Sequence, residues 1–129
     1  MKKWLGYICL TGLTCVTVIT MLTANVSKEP DIGNFELTDY QSKLEEFPFE
    51  GKISPNSSPN EIVKQAGQIW EELFGKDVRH EKPYQLFYDA NNRVWLVTGT
   101  LPFWYDVGGV AHMLIEEDTG EILAIWHEK

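Results

Sequence analysis

The chain has two cysteines in 129 residues, and both, Cys9 and Cys15, sit in one apolar run near the N-terminus. Everything after that run lacks cysteine, which rules out a disulfide framework and thiolate metal ligation there. Packing alone must hold the domain together. Basic residues are also scarce: setting aside Lys2 and Lys3 leaves 9 Lys and Arg against 19 Asp and Glu, a balance of -10. Phosphate contacts need clustered cations, so this balance argues against nucleic acid as a partner. An acidic surface instead suits a basic protein partner, or serves solubility. There is no internal repeat or low-complexity tract. Gly108-Gly109 lacks the lysine and the following helix of a phosphate-binding loop; it reads as backbone geometry that bends a sheet.

One long hydrophobic run is present. Met1-Lys2-Lys3 precedes apolar sequence from Trp4 to Ala24, which as a helix would be about 30 Å long, enough for a bilayer core and longer than the usual secretory h-region of about 7–15 residues. The lysine pair lies before the run and Glu29 and Asp31 lie after it, so the positive-inside rule places the C-terminal domain outside the cytoplasm. Residues 1–24 are therefore expected to be an export signal or single-pass membrane anchor. Leu22 is bulky for a cleavage site after Ala24, which favours the uncleaved anchor. If the segment is cleaved, the domain is secreted or periplasmic. The apolar run continues through Val16 to Leu22 past Cys15, which disfavours lipid attachment there. Residues 25–34, with Lys28, Pro30, Asp31 and Gly33, read as a polar linker, and 35–129 as one domain.

The domain reads as α+β. Thr38-Asp39-Tyr40-Gln41 has the form of a capping box opening a short helix to about Glu46. The main helix opens at Ser58-Pro59-Asn60-Glu61 and ends at Gly75, with Ile62, Val63, Ala66, Ile69, Trp70, Leu73 and Phe74 at helical spacing. Four β-rich stretches follow, at Tyr84–Tyr88, Arg93–Leu101, Val110–Glu117 and Glu121–His127, separated by turn residues. They are expected to form an antiparallel meander. Alternation puts Trp95, Val97 and Leu101 on one face of the second strand and Val94, Leu96 and Thr98 on the other. Both faces are apolar enough to need a cover.

Taken together, the segments GKISPNSSPNEIVKQAGQIWEELFGKDV, HEKPYQLFYD, VWLVTGTLP, GGVAHMLI and DTGEILAIWHEK resemble the bacterial immunity proteins with a nuclear transport factor 2-like fold, found in polymorphic toxin systems. The resemblance spans about residues 51–129. Trp95, Gly99, Thr100, Leu101 and Pro102 match the family's W-x-V-x-G-T-L-P strand, Gly108 and Gly109 its GG, Gly120 and Ile122 its last turn, and His127 and Lys129 its terminal H-x-K. The chain departs from the pattern in the insertion-like Phe103-Trp104-Tyr105 and in Glu128, where glycine is usual. The resemblance implies a helix packed on a curved, cone-like meander, and a protein that binds a cognate toxin and blocks it. TGEIL is also similar to PepSY-like domains, which would imply an envelope module binding a small ligand or peptide.

For chemistry, His80, His112 and His127 show no close-spaced ligand pair, and no metal or other cofactor is expected. Asp106 and His112 could form a base and its orienter, but a loop carboxylate six positions before a strand histidine is weak spacing, and no catalytic residue is expected. The best functional candidates are Phe103, Trp104, Tyr105 and Asp106, since aromatics on an inter-strand connection suit an interface. The alternative is that Phe103 or Trp104 folds back to close the sheet's end. Trp95, Gly99, Pro102, Gly108, Gly109 and Gly120 are expected to serve the fold.

Overall fold

A computed structural model describes residues 29–102 and 108–128. Five strands, β1 (Ile32–Asn34), β2 (Gln85–Asp89), β3 (Val94–Thr98), β4 (Ala111–Glu116) and β5 (Ile122–His127), form one sheet in that order. β2 to β5 are the expected antiparallel meander. The sheet as a whole is mixed, because β1 pairs with β2 in parallel. β1 lies within the stretch read as linker; three residues that include Gly33 and Asn34 carry too little alternation to announce a strand. A parallel neighbour needs a long crossover, and here residues 35–84 provide it.

That crossover also supplies both covers. Helix α1 (Gln41–Glu46) follows a 3-10 turn at Leu37–Tyr40. Thr38 does not cap it; the turn is tied down instead by Leu37 N–H donating to Asp89 Oδ2 at 2.8 Å. Helix α2 (Pro59–Phe74) starts as expected, with Ser58 Oγ accepting from Glu61 N–H at 3.3 Å. Gly75, at φ +89, ends it.

α2 lays Ile62, Ala66 and Trp70 on one sheet face, against Leu86, Val97, Met113, Ile115 and Ile125. Trp70 is fully buried and meets Tyr84 edge-on at 5.0 Å. Burying side chains of this size contributes about 1.5–3 kcal/mol each. Leu73 and Phe74, at the end of the same helix, stay exposed. The opposite face, Val94, Leu96, Leu114, Ala124 and Trp126, is covered by Phe35, Leu37, Tyr40 and Leu44. The second face is thus covered from within the chain; of the alternation read for the second strand, Trp95 and Val97 fall in one cluster and Val94 and Leu96 in the other, whereas Leu101 lies beyond β3 and is exposed. A register shift between Leu114 and Ile115 marks an irregularity where β4 meets β5.

Candidate functional site

Gly75 leads into a 3-10 helix, Lys76–Glu81, and its last residue gathers one end of the sheet. The backbone carbonyl of Glu81 accepts from Thr100 N–H at 2.6 Å. Its side chain reaches further: Oε1 accepts from Ala111 N–H at 2.7 Å, and Oε2 lies 2.9 Å from His127 Nε2. With Glu81 as a carboxylate, Nε2 is the donating nitrogen of His127. One residue therefore holds the chain just after β3, the first residue of β4 and the last of β5. Thr100 is fixed a second time, its Oγ1 donating to the Pro83 carbonyl at 2.6 Å.

The glycines of this end have steric reasons. A Cβ at Gly99 would lie 2.5 Å from Glu81 Oε1, so any side chain there would push into the carboxylate. A Cβ at Gly109 would collide with the backbone carbonyl of Glu128, which cannot swing away as a flexible side chain would. Around this rim Leu73, Phe74 and Leu101 are exposed, and Phe74 packs edge-on to the His127 ring at 5.4 Å. Phe103, Trp104, Tyr105 and Asp106 lie outside the described residues, but the residues flanking them, Pro102 and Gly108, belong to this rim.

His112 is placed differently from His127. Its ring stacks on Trp126 at 4.9 Å and 12° on the α1 side of the sheet, with Glu128 Oε1 at 3.5 Å. Burial holds its pKa below the usual histidine value, against the raising effect of Glu128. His80 is exposed in the 3-10 helix. Among the described residues no three metal-ligating side chains come together.

Trp95 and Gly120 lie at the other end of the strands. Trp95 faces Tyr88 across β2 and Ile115 across β4, with the Tyr88 ring centroid 4.5 Å away. Gly120, at φ +76, sits against the Ile53 carbonyl. Nearby, Asp89 is buried in the β2–β3 turn, its carboxylate accepting from Asn91 N–H, Asn92 N–H, Asn92 Nδ2 and Leu37 N–H. The side-chain amide of Asn92 first, then Leu37 N–H, holds the Asp89 carboxyl below the ordinary carboxylate range.

Sequence reasoning missed Glu81, and its partners explain why: Ala111 and His127 stand 30 and 46 positions away. The terminal histidine of the family motif was the available signal.

A principal helix over a five-stranded mixed sheet, in an α+β chain, fits a nuclear transport factor 2-like fold. A family model described as NTF2 fold immunity protein matches residues 62–129. The chain belongs to that family. The match begins at Ile62, later than the resemblance read from Gly51, and runs from α2 through β5. No curated protein and no solved structure matches the chain.

Proposed function

We propose that this chain is an immunity protein that neutralises a cognate toxin by stoichiometric binding, and that it acts as a binder and not as an enzyme. Membership of the immunity family carries the reading. The tied rim supports it, because a connection launched from strand ends that are held by Glu81 loses less freedom on binding. We place the contact at this end, with Trp104 and Tyr105 as anchors in the connection between Pro102 and Gly108 and with the acidic surface steering a basic partner.

We further propose that the Trp4–Ala24 segment tethers the domain outside the cytoplasm or exports it. That segment lies outside the described residues; among those described, no helix is long and apolar enough to cross a membrane. In cells expressing a toxin encoded beside this gene, the chain should restore growth. The Trp104→Ala/Tyr105→Ala double variant should restore it poorly while its melting temperature stays unchanged. Full protection by that variant would remove the rim from the interface, and no protection by the wild-type chain against the adjacent toxin would count against immunity.

A further inference from the structure

Ile32, the first residue of β1, pairs with Leu86 in parallel register, and β2 begins at Gln85, opposite Thr98. Thr98 pairs in turn with His112, and Ala111 with His127. The chain therefore enters the sheet at the Glu81 end.

The large apolar side chains exposed among the described residues are Ile32, Phe47, Leu73, Phe74 and Leu101, and every one lies at or beside this same end. Ile32 opens β1, Leu101 follows β3, and Leu73 and Phe74 close α2, with Phe74 against the His127 ring. Phe47 stacks on Trp126, the penultimate residue of β5. Among the described residues the opposite end carries none of them; its turns expose Ala90, Asn91, Asn92, Asp118 and Thr119 instead. Single exposed apolar side chains are ordinary, but their confinement to one end marks a surface that meets something apolar.

The chain that leads into β1 indicates what that is. Residues 25–31 join Ile32 to the apolar run that ends at Ala24, and fully extended they reach at most about 25 Å. A tether so short keeps the domain at a high local concentration beside the surface that the run enters, so a weak contact suffices. It is attached at the apolar end, which places that end nearest its root. The balance of acid over base after Lys3 gives anionic head groups no net attraction, so the contact is apolar, at the depth where head groups meet acyl chains.

We infer that the Glu81 end faces a lipid bilayer and seats its apolar rim at the head-group boundary, so that the toxin meets this end at the membrane surface and displaces lipid from it. The inference rests on the proposed anchoring by Trp4–Ala24, and on the rim alone for which end faces lipid.

The test uses the full chain, with Cys9→Ala and Cys15→Ala, reconstituted into phosphatidylcholine vesicles. An NBD dye is attached through Lys76→Cys beside the rim or Asn91→Cys in the β2–β3 turn, both positions being exposed. A doxyl nitroxide on the lipid, near its head group, is the quencher. The Lys76→Cys label should be quenched at least about twice as strongly as the Asn91→Cys label, because the rim would lie within about 10 Å of the boundary while strands of about 17–20 Å separate the two ends. Leu73→Gln/Phe74→Gln/Leu101→Gln, which alters exposed side chains only, should abolish the difference at unchanged melting temperature. Equal quenching of the two labels, stronger quenching at Asn91→Cys, or a difference that survives the triple variant would overturn the inference. Flotation separates it from the readings beneath it. If the chain does not float with the vesicles, the anchor fails and the inference falls with it; if it floats and both labels are quenched equally, the inference alone fails. If the rim label is selectively quenched while the wild type gives no protection against the toxin, immunity fails and the membrane-facing rim stands.

Discussion

The two ends of the sheet are built on opposite plans. At one end a single buried residue, Glu81, ties the chain after β3 and the ends of β4 and β5, and the glycines there exist because backbone and carboxylate leave no room for a Cβ. At the other end Trp95 is left half-covered beside a cavity also lined by Ile53, Ile62 and Ile115. Rigidity is concentrated where the aromatic connection leaves the sheet. The tied end is not fully satisfied, since both His112 ring nitrogens and Trp126 Nε1 are buried there without a hydrogen-bond partner among the described residues, whereas the Asp89 carboxylate at the far end accepts from four donors.

Substitutions should separate the two ends, and the largest loss of stability is expected at the tied end. Glu81→Ala leaves Ala111 N–H buried without an acceptor and frees His127, which should cost about 2–3 kcal/mol and lower the urea midpoint at unchanged m-value. Glu81→Gln, which retains an acceptor for Ala111, should cost less than Glu81→Ala. Gly109→Ala should follow, at about 1–3 kcal/mol, since the Glu128 backbone must move to admit the methyl group. At the open end Glu116→Gln should leave stability within about 0.5 kcal/mol of wild type, as a surface change does. An equal fall in stability for Glu81→Ala and Glu116→Gln would erase the contrast.

Acid should reveal the ends in sequence. His112, beside Trp126 at the Glu81 end, has a folded pKa below its unfolded one because of burial. Its share of stability is therefore complete above about pH 6.5 and declines as pH falls below that value. Asp89, at the open end, is also depressed, and its share is complete above about pH 4 and is lost as pH falls through its folded value. Urea midpoints followed from pH 8 to pH 3 should fall in two windows, the upper absent in His112→Phe and the lower flattened in Asp89→Asn. One transition shared by both variants would mean the ends are not distinguished by these groups.

α2 was legible in the sequence because its capping serine, first-turn proline, periodic apolar face and terminal glycine agree with one another. The meander was legible for a similar reason, strand residues being separated by turn residues at the right intervals. β1 was not, because a three-residue strand held by a distant parallel neighbour leaves no local pattern. The fold over α1 was half legible: the segment was read as a helix, but Thr38 is not its cap, since Asp89, fifty-two positions from Leu37, provides the tether. Gly108 and Gly109 could be read as backbone geometry without sight of Glu128 or Leu101, their actual neighbours. Glu81 looked like one more charge in a charged turn. The Trp95 cavity joins a loop, a helix start and two strand ends, so no stretch of sequence announces it.

The central claim is stoichiometric capture of a toxin by the tied end, and the direct measurement is a titration of the purified full chain with its cognate toxin, by calorimetry with the mass of the complex checked by light scattering. A one-to-one complex, with affinity lost by at least about 10-fold in Trp104→Ala/Tyr105→Ala at unchanged melting temperature, is the predicted result. No complex, or one whose affinity ignores both that double variant and Glu81→Ala, would contradict it.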